Sequence, residues 1–439
     1  MEHESRLRKA GRRAAAIAAI SMLATGLAAC GGGGGAGGEG DPENAALVMT
    51  IWGSENDTKT YQERADAYTA DHPGVTVKVR NIPVENYDQQ VDTMIAGGSS
   101  PDIILVDGSK TPGLASRGGI LDLSPLIDED GLVLSDTVDP GRVSGYQVDG
   151  KQYAVPDRGG NIVFYYNKTM FQSAGVPEPK AGWTWDEMVD AAEKTTIRDG
   201  GTTTQWGVSI DNWPNAVQSV TASFGASMFN DAVDAAAVDS PEYREALTEY
   251  NGLATDLKVS PTLQDYADFG QNVNRDALFA QGKTAMIWAG LWNIPEFVKQ
   301  GIDFGIVPPP VAKQGEPTMM AFGTGLAVGA RSKNQAAAWE VVRYMFTPDG
   351  QRPIVTNGQD VPSANELIPE WEAGLPGGIS YAEVASVPEQ IFSTVNPPQI
   401  NEILKQWEQD LYPFFTSTES VDDATSLAAQ HINGILGDD

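Results

Sequence analysis

The fold is decided by the stretch that begins Leu47-Val-Met-Thr-Ile-Trp52-Gly53-Ser54 and runs to Asp107-Gly108. The apolar run Leu47–Trp52 predicts a strand that breaks at Gly53-Ser54. Ser54 or Asn56 can then cap a helix whose stripe Tyr61, Ala65, Tyr68 has i, i+4, i+7 spacing. His72-Pro73-Gly74 ends it, and Val75, Val77 and Val79 alternate as a half-buried strand. A second helix carries Tyr87, Val91, Met94 and Ile95 up to Gly97-Gly98. Ile103–Val106 is continuously apolar, as in a strand covered on both faces, and stops at Asp107-Gly108. Strand-helix alternation of this kind predicts an α/β fold, with ligands outside the carboxyl ends of the strands.

The theme continues outward. Thr184-x-x-Glu187 is a capping box before Trp185, Met188, Val189 and Ala192. Ser240-Pro241 opens a helix with Tyr243, Leu247, Tyr250, Ala254 and Leu257 on one side. Ser332-x-x-Gln335 reads as a cap for a helix with Trp339, Val342 and Phe346, and Ile400, Ile403, Leu404, Trp407, Leu411 and Phe414 form a long stripe. Pro308-Pro309-Pro310 does not suit a central strand and reads as a crossing between lobes. At 439 residues the chain is long enough for two lobes.

Composition narrows the function. With 41% hydrophobic and 20% charged residues the chain is a folded soluble protein. Its net charge is −30, and the first 29 residues are basic on balance, so the rest is more acidic still. That field repels phosphate backbones, and without a basic patch it argues against nucleic-acid binding. One Cys excludes an internal disulfide and a Cys-rich zinc site, and the three histidines, His3, His72 and His431, give no triad or metal-ligand spacing. There is no Walker loop and no G-x-G-x-x-G between a strand and a helix, so no cofactor or metal is expected.

The N-terminus reads as an export signal. A basic segment precedes the apolar run Ala14–Ala29, which is short for a membrane span of about 20 residues. Leu27-Ala-Ala-Cys30 resembles the bacterial lipoprotein signal. That resemblance implies removal of residues 1–29 and acylation of Cys30, which anchors the protein to a membrane. Arg12-Arg13 leaves the twin-arginine route open. The Gly-rich stretch after Cys30, within residues 30–45, is a tether reaching roughly 20 Å.

Five further segments carry a wider resemblance. Gly150-Lys-Gln-Tyr-Ala-Val-Pro156, Phe164-Tyr-Tyr-Asn-Lys168, Trp183-Thr-Trp-Asp-Glu187, Gln281-Gly-Lys-Thr-Ala-Met-Ile-Trp-Ala-Gly-Leu-Trp292 and Asp303-Phe-Gly-Ile-Val-Pro308 stand in this order. Together they resemble the extracellular solute-binding proteins of carbohydrate ABC importers, the maltose-binding-protein class. The resemblance implies a two-lobed periplasmic-binding-protein-like α/β fold with crossing hinge strands and an interlobe cleft. Residues 46–155 with 308–355 would form lobe 1, and 156–304 with 359–439 lobe 2. It also implies a monomer on the outer face of the cytoplasmic membrane that hands a sugar, without chemistry, to permease subunits.

A pyranose offers C–H faces to aromatic rings and a hydroxyl rim to polar groups, which must be paired when buried. Trp292, in Gly290-Leu-Trp292, matches the family's Gly-x-Trp ligand position, and Trp288 and Trp213 are the other candidate stackers. Ser54, Glu55 and Asn56 follow the first strand, Asp107 and Ser109 the third, and Arg158 and Asn161 lie past the expected hinge. Gly323, in Gly323-Thr-Gly325, offers a close backbone approach. Two other readings stand beside this one. A secreted glycoside hydrolase would use a carboxylate pair such as Glu55 and Asp107, and an acidic adhesion module would present a flat face and no small-molecule site.

Overall fold

The computed structural model describes residues 41–270, 273–312, 319–358, 360–376, 379–387 and 397–437, and the backbone of 389–391. Cys30, the export signal and most of the tether lie outside the described residues. Strand β1 (Ala45–Ile51) leads into helix α1 (Glu55–Asp71), then β2 (Val75–Asn81), helix α2 (Val84–Ala96) and β3 (Ile103–Asp107). Ser54 caps α1 in a full capping box with Asp57, and the helix buries Tyr61, Ala65 and Tyr68 as their spacing predicts, together with Thr60 and Arg64. The three strands are parallel, in the order β2-β1-β3.

Two long strands carry the chain between lobes. Strand β4 (Val155–Asn167) begins in the first core at Val155 and enters the second at Ile162 and Phe164. After β5 (Met286–Gly290) and β6 (Phe304–Val307), strand β7 (Met319–Val328) runs the opposite way. Met320 of β7 lies in the second core and Leu326 and Val328 in the first. β7 joins β3 to β4, both antiparallel to it, and β5, β6 and β8 (Val361–Pro362) also pair with β4. The third passage meets the crossing strands at β8, where Val361 and Pro362 pair with Gly159 and Arg158. Asn56 Nδ2, on α1 of the first lobe, donates to the Asn357 carbonyl, whereas Val361 packs among second-lobe residues.

Three sequence expectations are corrected. The run Pro308-Pro309-Pro310 makes no crossing. The Pro308 carbonyl accepts from Trp183 Nε1, Val311 pairs with Trp183, and Ala312 lies in the second core, so this run stays with that core. Leu257 lies beyond helix Pro241–Thr255 and is exposed. Ser332 does not cap the helix Gln335–Phe346; its hydroxyl donates to Asp102 instead, and Asn334 takes the cap position. The capping box at Thr184 and Glu187 and the buried stripe of helix Ile400–Phe415 are as expected, although Leu404 is only half-buried.

At the root of the crossing, the β4–β7 register slips between Thr324 and Gly325, so that Asp157 has no partner opposite it in the ladder. A bulge of this kind re-aims a side chain. Asp157 turns into the first lobe, where Arg64 Nη2 meets Oδ1 at 2.5 Å and the Tyr61 hydroxyl donates to Oδ2 at 2.5 Å. Both members of the ion pair are 0% exposed. Arg64 also donates to the carbonyls of Met345 and Gly350, which ties helices Gln335–Phe346 and Pro348–Thr356 to the same point. Removing one partner strands a buried charge, so Arg64→Met is expected to cost about 3–5 kcal/mol in urea unfolding. The double variant with Asp157→Asn recovers much of that loss; a single-variant loss below about 1 kcal/mol contradicts the assignment.

Candidate ligand-binding cleft

Trp292 sits in a short 3-10 turn, Leu291–Asn293, directly after β5. Gly290 pairs with Ile162, so Gly160 of β4 lies close to it on the neighbouring strand. A Cβ on Gly290 would fall 2.2, 2.2 and 2.3 Å from Trp292 Cε2, Cζ2 and Cη2. Near-equal distances to three consecutive ring atoms place the strand under the face of the six-membered ring. A Cβ on Gly160 would fall 2.6 Å from Cε3 of the same ring. Only glycine at both positions lets the indole lie on the strands. The ring is nevertheless 37% exposed, which leaves its outer face open.

Trp213 stands beside it, with centroids 6.3 Å apart and planes at 87°. Arg275 covers one face of Trp213, its guanidinium carbon 4.2 Å from the ring centroid. Arg275 is fixed in turn. Its Nη1 donates to both Asp211 oxygens at 2.8 Å and its Nε to the Trp288 carbonyl at 2.9 Å. Burial opposes the Arg275 charge, but Asp211 and Asp276 outweigh it and raise the pKa, so the cation persists. Asp211 Oδ1 also accepts the backbone N–H of Trp213, so one carboxylate orients both residues.

Nearer the crossing strands, a small pocket is lined by Arg142, Tyr146, Pro156, Arg158, Ala321, Phe322, Gly323 and Ser363. Arg142 comes from the helix Pro140–Ser144 and its guanidinium lies over Gly159. Arg158 Nη1 meets Asp57 Oδ1 at 2.6 Å. Burial alone would raise the Asp57 pKa, but Arg158 and the Ser54 hydrogen bonds overcome it and hold the carboxyl below its ordinary value. Tyr146 is wholly buried and its pKa is raised, by burial first and then by the Asp107 charge.

The candidates divide accordingly. Trp292 and Trp213 adjoin one another, and Arg158 and Gly323 line the pocket with Tyr146, whose hydroxyl lies 3.0 Å from the Cβ position of Gly323. Asn161 is buried on β4, where its Oδ1 accepts from Tyr381. Ser54 is committed to capping α1, Asn56 bonds the Asn357 carbonyl, and Glu55 is exposed in the first turn. Asp107 Oδ1 accepts from both Ser109 N and Ser109 Oγ, so this pair caps its own turn. Trp288 is a correction. It is 1% exposed in the second core against Phe164, Trp185 and Tyr250, because β5 is covered on both faces. Sequence reading missed Asp57, Arg142, Tyr146, Arg275 and Asp360, which come together only in the folded chain.

Comparison with known proteins places the chain in a family. A sequence profile of the bacterial extracellular solute-binding proteins matches residues 52–352. The chain belongs to that family. Among curated relatives, the galactooligosaccharide-binding protein of Bacillus subtilis is 24% identical over 432 residues, covering 95% of each chain. The diacetylchitobiose binding protein of Streptomyces coelicolor is 27% identical over 375 residues, 82% of this chain and 83% of that protein. Among solved structures, an ABC substrate-binding protein from Listeria monocytogenes in complex with cycloalternan superposes with a TM-score of 0.81 at 23% identity, covering 90% of this chain and 99% of that one. The fold is therefore the two-lobed fold of periplasmic binding proteins.

In this solute-binding protein the aromatic platform rests on two glycines, which yields a direct test. Gly160→Ala is expected to push the indole of Trp292 off the strands while the core tryptophans stay in place. With fluorinated tryptophan, the 19F resonance of Trp292, assigned with Trp292→Phe, shifts and that of Trp288 does not. A Trp292 resonance that stays put refutes the stacking geometry.

Proposed function

We propose that this protein captures a neutral mono- or oligosaccharide by closing its two lobes and delivers it unchanged to the permease of an ABC importer. The observation that carries this reading is the open face of Trp292, backed by strand glycines and set beside Trp213 and buried polar groups. A flat apolar face bordered by fixed donors and acceptors matches the amphiphilic surface of a pyranose. The charges favour a neutral ligand, since Arg158 is answered by Asp57 and Arg275 by Asp211. The relatives named for galactooligosaccharide and diacetylchitobiose, and the neighbour solved with cycloalternan, point to the same chemical class.

Capture works as a population shift. A ligand touching groups on both lobes is held by all of them only when the lobes approach, so its binding energy favours the closed state. Arg142 and Asp57 come from first-lobe helices, Trp213 and Trp292 from the second lobe. The hydrolase reading loses support from the site, because Asp107 is engaged by Ser109 and Glu55 is a solvated first-turn residue. The protein acts without catalysis, as a monomer held on the outer face of the cytoplasmic membrane by a lipid on Cys30. No helix among the described residues is long and apolar enough to cross a membrane.

The test is a thermal-shift screen of the mature domain against a panel of mono- and oligosaccharides. A sugar at 100 times its dissociation constant stabilises the fold by about 2.7 kcal/mol. Trp292→Ala is expected to weaken binding of that sugar by about 1–3 kcal/mol and to leave the unfolding transition cooperative. A panel without a single stabilising sugar, or Trp292→Ala binding like the parent, defeats the reading.

A further inference from the structure

The third passage between lobes carries a buried carboxylate. Asp360 is 6% exposed and precedes β8; its Oδ1 accepts the N–H of Val361. Its Oδ2 lies 2.9 Å from the Cβ position of Gly160, the point that is 2.6 Å from Trp292 Cε3. The carboxylate oxygen and the Cε3–Cζ3 edge of the indole thus meet at Gly160, with the carboxylate supplied by the segment that leads into β8. We propose that Asp360 is the residue that accepts ring hydroxyls of the sugar stacked on Trp292, and so sets which pyranose edge the site admits. This rests on the saccharide reading above and names a group within it.

Two arguments support the assignment. The first is geometric: an acceptor beside a stacking platform reaches the hydroxyl rim of a ring whose C–H face lies on the indole. The second is energetic. Burial pushes the Asp360 carboxyl up to about 7, and Arg158 and Arg142 only partly offset it; Asp57 and the Tyr165 phenol also face it. The folded protein thus holds a proton that the unfolded chain releases between about pH 4 and about pH 7. Stability contributed there falls as pH rises through that window and stays lower above it. A buried carboxylate that costs stability at neutral pH is better explained by a ligand than by the fold.

The two roles separate in Asp360→Asn. Titrated calorimetrically with maltotriose, diacetylchitobiose and galactobiose, the variant is expected to bind the preferred sugar about 10- to 100-fold more weakly at neutral pH. Its melting temperature at about pH 8 is expected to equal or exceed the parent's. The parent's affinity rises from about pH 5.5 to about pH 8, as the carboxylate gains acceptor capacity, and the variant's stays flat. Affinity within twofold of the parent overturns the proposal, as does loss of stability in step with affinity. Should the variant not fold, a flat pH profile of the parent overturns it equally. A parent that binds no sugar at all fails earlier, with the saccharide reading itself.

Discussion

The architecture turns on one buried ion pair, Arg64 with Asp157. An isolated charge in that position would be prohibitively costly, and a pair is tolerated only when its remaining hydrogen-bonding capacity is met. Tyr61 and the carbonyls of Met345 and Gly350 meet most of it, so helix α1, strand β4 and two later helices converge on one point. Ser363 adds the third passage by donating to the carbonyls of Pro156 and Asp157 and accepting from Gln351. The crossing strands are thereby rooted in the first lobe, and motion of the second lobe has a fixed base.

From that root the cleft is built. The bulge that aims Asp157 inward leaves Arg158 toward Asp57 and the pocket, and the next two residues are glycines. The absence of side chains at Gly160 and Gly290 turns two adjacent strands into a surface on which an indole can lie. Neighbouring residues of β4 thus face different ways: Asp157 meets Arg64, Arg158 lines the pocket and Gly160 underlies Trp292.

The fold was largely legible because periodicity reports burial. Tyr61, Ala65 and Tyr68 face the core as their spacing requires, and the Thr184–Glu187 box caps the helix it precedes. Trp292 does follow a strand, as Gly290-Leu-Trp292 suggested, whereas Trp213 stands at the start of helix Pro214–Ser223. Trp288 was misread because a strand covered on both faces has no polar side to mark which residues point where. Arg142 and Asp360 carry no local signature; they meet only when a first-lobe helix and the third passage close on the same strands. Pro308 was misplaced for a related reason, since proline marks a break in pairing but not the lobe on which it occurs.

The central claim is that two lobes rooted at Arg64 and Asp157 close around a sugar. Small-angle X-ray scattering of the protein, alone and saturated with the sugar that stabilises it most, reads this directly. Closure requires a smaller radius of gyration and a shorter maximum dimension in the saturated sample. Identical scattering curves at full occupancy would contradict it.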